Sequence, residues 1–209
     1  MKTPDNRVTQ HMSIIKSKND WESPEEKLNK AILDYDIHPT LDVASSSKNH
    51  LFKHYFGLDH PIQSRRNALT VPWTEPFFMN PPYDPDYECL HCHKRNSFVK
   101  IKSRKKTKKE NRKYITICSN CNAGIKQRKT LHKGVSEWMA KACKEAKENN
   151  VDGLCLTFAK TDTKWYHKYV EGIAEVHFIE GRLRFNENKK RSNYPAPYGS
   201  MWVIYRSKK

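Results

Sequence analysis

Two Cys-x-x-Cys pairs, Cys89/Cys92 and Cys118/Cys121, constrain this chain more than any other feature. Twenty-five residues separate them. Two such knuckles can deliver four thiolates to one tetrahedral Zn²⁺, and a closed four-ligand shell is the structural kind. The spacer is longer than the usual template. His91 and His93 flank the first knuckle, but four cysteines suffice. Four separate thiols or two disulfides are the alternatives, and redox setting decides between them. The first nineteen residues are polar, without the apolar block of a signal peptide, and no apolar run approaches the roughly 20 residues of a membrane helix. An intracellular, reducing location is therefore expected, and there the spacing favours zinc. Cys143 and Cys155 lie on apolar faces and are expected to be core packing.

The knuckles sit in a stretch unlike the rest of the chain. Residues 86–132 hold fourteen Lys/Arg against three Asp/Glu, a net of +11 out of the chain's +16. So concentrated a charge points to nucleic acid first and an anionic membrane surface second. Arg104, Lys105, Lys106, Lys108 and Lys109 form the densest run, expected on an exposed loop or hairpin tip between the knuckles. The alternative to phosphate binding is a solvated charge run. Phosphate contacts of this sort give affinity and position but no base identity.

Either side of this insert the pattern is that of an ordinary globular domain, expected over 20–85 and 133–209, behind a mobile arm at 1–19. Ser23-Pro24-Glu25-Glu26 reads as a capping box that opens a helix, with Leu28, Ala31, Ile32 and Tyr35 on one face. Thr40–Ala44 reads as a short strand, and Leu51, Phe52, Tyr55 and Phe56 as a helical turn or two. Val135–Ala146 has helical spacing, 154–159 is the continuous apolar run of a buried strand, and another helix is expected to start within 161–169. Strands are expected at 174–179 and 200–205, with Gly181–Phe185 as a hairpin arm against the former. Helices alternating with apolar strands argue for an α/β sheet.

One short segment carries candidate chemistry. Asn80-Pro81-Pro82-Tyr83 follows the apolar Pro76–Met79. Two prolines make the loop stiff, as it must be if the Asn80 amide oxygen and the Pro81 carbonyl are to aim at one target. Two acceptors on one exocyclic amine grip both its hydrogens and turn its lone pair outward. Tyr83 would offer a flat face to a flipped base. The alternative is a proline turn with a surface tyrosine.

Several segments, in order, resemble the phage-type DNA N6-adenine methyltransferases. They are Trp21-Glu22-Ser23-Pro24, Thr40-Leu41-Asp42-Val43-Ala44, Asn80–Tyr83, Lys160–His167 and Ala174–Phe185. The similarity covers about 20–85 and 133–206. The chain departs from the family in three places. The basic cysteine-bearing stretch replaces a short Gly-rich link, Lys160 stands where Arg is usual, and Asn67-Ala68-Leu69 stands for an Asp-Gly-Leu type segment. The resemblance implies a Rossmann-like S-adenosylmethionine-dependent methyltransferase sheet with helices on both faces, carrying a small inserted four-cysteine zinc module. It implies site-specific methyl transfer to adenine N6 in DNA, with Asn80, Pro81, Pro82 and Tyr83 on the base. Trp21, Ser23, Pro24, Asp42 and Ala44 would line the cofactor side, while Asp162, Trp165 and His167 are weaker candidates. Two other classes compete. A zinc-scaffolded nuclease of the His-Asn-His type needs a histidine that 94–117 does not contain. A non-catalytic zinc-ribbon binder leaves Asn80–Tyr83 unexplained.

Overall fold

The computed structural model describes residues 21–94, 98–102, 114–132, 134–187 and 190–208. The elements in chain order are α1 (Glu25–Asp34), β1 (Leu41–Asp42), β2 (His54–Tyr55), β3 (Phe77–Met79), β4 (Asp86–Cys89), β5 (Phe98–Lys102), β6 (Tyr114–Cys118) and β7 (Arg128–His132). After these come α2 (Val135–Asn149), β8 (Gly153–Phe158), α3 (Lys164–Tyr169), β9 (Glu175–Phe178), β10 (Asn186–Glu187), β11 (Lys190–Arg191) and β12 (Ser200–Tyr205). They divide into two compact units. Asp84–Gly134 belongs to the smaller one, and Asn19–Tyr83 with Val135–Lys209 forms the larger.

The larger unit is a six-stranded sheet in the order β2-β1-β3-β8-β12-β9. β2, β1, β3 and β8 pair in parallel, and β12 alone runs against its two neighbours, β8 and β9. Every residue of β8 and β12 is buried because both faces of each strand are covered, and the two are apolar apart from the hydroxyls of Thr157 and Ser200. Their alternate side chains feed two cores. Cys155, Met201, Val203 and Tyr205 join Phe77 and Met79 beneath Trp138, Met139 and Ala142 of α2 and Trp165 of α3. Leu154, Leu156, Phe158, Trp202 and Ile204 join Phe78 beneath Leu28 and Ala31 of α1. At Gly153 a Cβ would stand 2.3 Å from Cζ of the fully buried Phe77, so this strand starts on the one residue that leaves room for that ring.

Three local expectations are corrected. The helix begins at Glu25 with Pro24 as its N-cap, and no side chain caps it. The Pro24 carbonyl instead accepts from the N–H groups of Lys27 and Leu28, both at 3.1 Å. Ser23 is one residue too early to cap, and its hydroxyl is buried without a hydrogen-bond partner among the described residues. Residues 51–56 are not helical, because they contain β2. Leu51 and Phe52 pack into the α1-side core and Phe56 into the other, so their helix-like spacing reflects a chain crossing the sheet edge. Gly181–Phe185 makes no hairpin with β9, whose sheet partner is β12. Leu183 and Phe185 turn inward to fill the α1-side core. Among the described residues no helix is long and apolar enough to cross a membrane.

Among the described residues of the smaller unit, β4 pairs with β7 and β5 with β6, both antiparallel. Its two knuckles are the same turn made twice. In the first, the His93 N–H donates to the Cys89 carbonyl at 2.8 Å and the Cys89 N–H to the Lys94 carbonyl at 3.0 Å. In the second, Asn122 donates to Cys118 at 2.8 Å and Cys118 to Ala123 at 2.9 Å. The residue after the second cysteine of each turn has positive φ, 56° at His93 and 61° at Asn122. His and Asn tolerate that left-handed conformation better than most residues.

Candidate functional site

In an open α/β sheet, ligands bind beyond the carboxyl ends of the strands, where the order of connection reverses. Here β2 lies on one side of β1 and β3 on the other, so the reversal falls between β1 and β3. Their register pairs Leu41 with Phe77 and Asp42 with Phe78. Asp42 therefore ends one strand, and Asn80 follows the end of its parallel neighbour on the same edge of the sheet.

The Asn80 side chain is fixed from two sides. Its Nδ2 donates to the Trp21 carbonyl at 2.9 Å, and its Oδ1 accepts from the Tyr83 hydroxyl at 3.3 Å. Trp21 is held in turn by its neighbour Glu22, whose N–H and carbonyl bond to Asn186 at 3.1 and 2.9 Å. Pro81 is buried and Pro82 half-buried. The Tyr83 ring stacks face to face on Phe158, with centroids 3.8 Å apart and planes 13° from parallel. One face of Tyr83 is thus covered, which narrows the expected base platform to the opposite face. Trp21 stands edge-on to Tyr83 at 6.5 Å and beside Phe185 at 5.1 Å. Burial pushes the Tyr83 phenol up, so the hydroxyl stays protonated and can donate.

Asp42 is almost fully buried. Its two oxygens accept from the Ala44 N–H at 3.3 Å and the Leu51 N–H at 3.2 Å, closing the loop between β1 and β2. Loss of water raises its carboxyl to about 6, and those two backbone donors oppose the rise. Of the cofactor-side residues expected from sequence, Trp21, Ser23 and Pro24 form one segment, and Asp42 and Ala44 lie at the end of β1. The weaker candidates separate. Trp165 is core, Asp162 is exposed, and exposed His167 pairs with Glu171 at 2.8 Å. Sequence reasoning missed Phe158 and Phe185 as neighbours of the Asn80 loop. The one available signal was that Phe158 stands near the end of the apolar run 154–159, which leads directly into Lys160–His167.

In the smaller unit the sulfur atoms of Cys89, Cys92, Cys118 and Cys121 all lie within 4.8 Å of one another and can hold a metal ion. The Cys89–Cys121 and Cys92–Cys118 separations are both 3.6 Å. A tetrahedron with Zn–S bonds of about 2.3 Å has edges of about 3.8 Å. Arg104, Lys105, Lys106, Lys108 and Lys109 lie outside the described residues, as does the expected arm at 1–19.

The family model described as DNA N-6-adenine-methyltransferase (Dam) matches residues 11–209. No curated protein and no solved structure matches the chain significantly.

Proposed function

The chain belongs to the DNA N-6-adenine-methyltransferase family, and from that membership we propose that it transfers a methyl group from S-adenosylmethionine to adenine N6 through the Asn80–Tyr83 loop. One observation carries the reading: Asn80 and Asp42 occupy the carboxyl ends of neighbouring parallel strands where the connection reverses. On this reading the sheet is the Rossmann-like methyltransferase one, and the target site is specific.

Because Nδ2 is committed to the Trp21 carbonyl, the Asn80 amide has one orientation. Its oxygen keeps a lone pair beyond the one used by Tyr83. Asn80 Oδ1 and the Pro81 carbonyl accept the two N6 hydrogens of a flipped adenine and leave the nitrogen lone pair facing outward. The base lies on the face of Tyr83 opposite Phe158, where stacking contributes roughly 1–3 kcal/mol. S-adenosylmethionine, when bound, supplies the electrophilic methyl group. The residues present suit it in one specific respect: Ser23, beside Trp21 and Pro24, holds a buried hydroxyl without a partner among the described residues. The Asp42 carboxylate organises the loop after β1 by accepting from the Ala44 and Leu51 N–H groups. Most of the chemistry is positioning.

The insert, taken as 86–132, is a separate module in this reading. It leaves the larger unit at Tyr83 and returns at Val135, whose N–H donates to the Tyr83 carbonyl at 3.4 Å. Zn²⁺ on its four cysteines gives it a fixed base, and Arg104, Lys105, Lys106, Lys108 and Lys109 bind DNA phosphates. The test is incubation with labelled S-adenosylmethionine and DNA, followed by nucleoside analysis. N6-methyladenine is expected. Methylcytosine alone, or no methylated nucleoside on duplex or single strands, overturns the assignment.

A further inference from the structure

The aromatic stack at Tyr83 does not end at Phe158. Tyr198 lies tilted against Phe158, centroids 5.4 Å apart, and the Lys160 ammonium sits 4.0 Å above the Tyr198 ring. The two residues are brought together by the sheet. The Ala159 N–H donates to the Gly199 carbonyl at 2.9 Å, where β8 ends and β12 begins. This is the carboxyl end of β8, the same edge of the sheet that carries Asn80 and Asp42. Phe158 is buried, whereas Tyr198 is 49% exposed. Beyond its contacts with Phe158 and Lys160, the Tyr198 ring keeps about half its surface open at this edge. The loop after β8 adds exposed Lys164 and Lys168, and Asp162 is the single acid between residues 160 and 168.

We propose that Tyr198 and Lys160 form a second DNA contact beside the methyl-transfer site, the Tyr198 ring stacking on a base next to the target and the Lys160 ammonium pairing with a phosphate of that strand. An alternation of cation and aromatic ring is what a splayed strand requires, since every base has a π face and every nucleotide a charge. The present Lys160–Tyr198 contact is a resting arrangement. A surface cation–π contact is worth roughly two- to five-fold in affinity. Stacking one base on a ring is worth roughly five- to 150-fold. Incoming DNA can therefore draw the ammonium onto phosphate and uncover the ring with a net gain. The inference rests on the methyl-transfer reading for the direction of the strand, and on geometry alone for the two residues.

The experiment uses the full chain and adenine-containing duplex and single-stranded oligonucleotides, with binding followed by fluorescence anisotropy across salt. Tyr198→Ala is expected to weaken DNA about ten-fold, and Tyr198→Phe, which keeps the ring, to stay within about two-fold. Lys160→Ala should lower the salt slope by roughly 0.9 on duplex or 0.7 on single strands. S-adenosylmethionine affinity, measured by calorimetry, should be unchanged in all three. Unaltered DNA affinity in Tyr198→Ala overturns the proposal. So does a Tyr198→Phe defect equal to that of alanine, a loss of S-adenosylmethionine binding with DNA binding intact, or failure of the wild type to bind DNA. If the wild type binds DNA but methylates nothing, the methyl-transfer reading fails while these binding outcomes still decide the role of Tyr198. If Tyr198→Ala does not fold, Tyr198→Phe and Lys160→Ala still carry the test.

Discussion

Replacing Asn80 by alanine separates a catalytic loop from a merely structural one. In the folded protein the substitution strips the Trp21 carbonyl of its donor and the Tyr83 hydroxyl of its acceptor. Each bond contributes about 1 kcal/mol net, so the expected destabilisation is about 1–2 kcal/mol. Set against a typical domain stability of about 5–15 kcal/mol, that loss leaves the protein folded at 25 °C. The chemical loss is larger. Removing one preorganised polar partner from a transition state costs roughly 10²–10³ in rate, or about 2.7–4 kcal/mol. Single-turnover methyl transfer at saturating S-adenosylmethionine, read beside a urea unfolding curve, measures the two effects independently. Tyr83→Phe is the internal comparison. It removes only the 3.3 Å bond and keeps the ring on Phe158, so a reduction of no more than several-fold is expected. If Asn80→Ala methylates within about three-fold of wild type, or no worse than Tyr83→Phe, the loop positions nothing that reacts and Asn80 supplies no preorganised acceptor to the transition state.

Protein purified without chelator should carry about one zinc per chain; four native thiols that titrate freely in the absence of metal would refute the site. Asn122→Gly should keep that metal and Asn122→Val weaken it about ten-fold, because a β-branched residue resists the 61° φ of the second knuckle. Gly153→Ala drives a methyl into the Phe77 ring and should cost about 1–3 kcal/mol, with part of the loss recovered in the Gly153→Ala/Phe77→Leu double variant; equal melting temperatures for Gly153→Ala and wild type would refute the contact. For Asp42 the folded carboxyl, at about 6, lies above its ordinary 3.8, so the native state holds the proton more tightly than the unfolded chain does. Its contribution to stability is full below pH 4 and is lost as pH rises through 6, by ~3 kcal/mol in all. Urea midpoints from pH 4 to 7 should show that slope in the wild type and a flatter one in Asp42→Asn; parallel profiles would contradict it.

Some of this protein is written locally in the chain. The two knuckles are six-residue turns, 89–94 and 118–123, whose hydrogen bonds close within each turn, so the local pattern of Cys-x-x-Cys followed by His or Asn marks them. β8 and β12 are legible for a similar reason. A strand covered on both faces is a nearly continuous apolar run, interrupted here only by Thr157 and Ser200, and no partner need be known to see it. The spacing of Val135–Ala146 likewise reports one buried helix face. The segments that carry the family resemblance are legible one by one, and the family match over 11–209 agrees with them.

What the chain does not encode by period is which segment meets which. Asn80 finds the Trp21 carbonyl across 59 residues, Tyr83 lies on Phe158, and Phe158 leads to Tyr198 because β12 is inserted antiparallel between β8 and β9. Local rules misread the same places. Ser23 carries the signature of a cap, yet Pro24 takes the capping position and leaves the hydroxyl buried. Leu183 and Phe185 alternate like a hairpin arm, yet both side chains are buried in the core beneath α1 and β9 pairs with β12 instead. Periodicity records only that a side chain is buried. Sheet order and register decide against what, and those are settled by the packing of the whole unit at once.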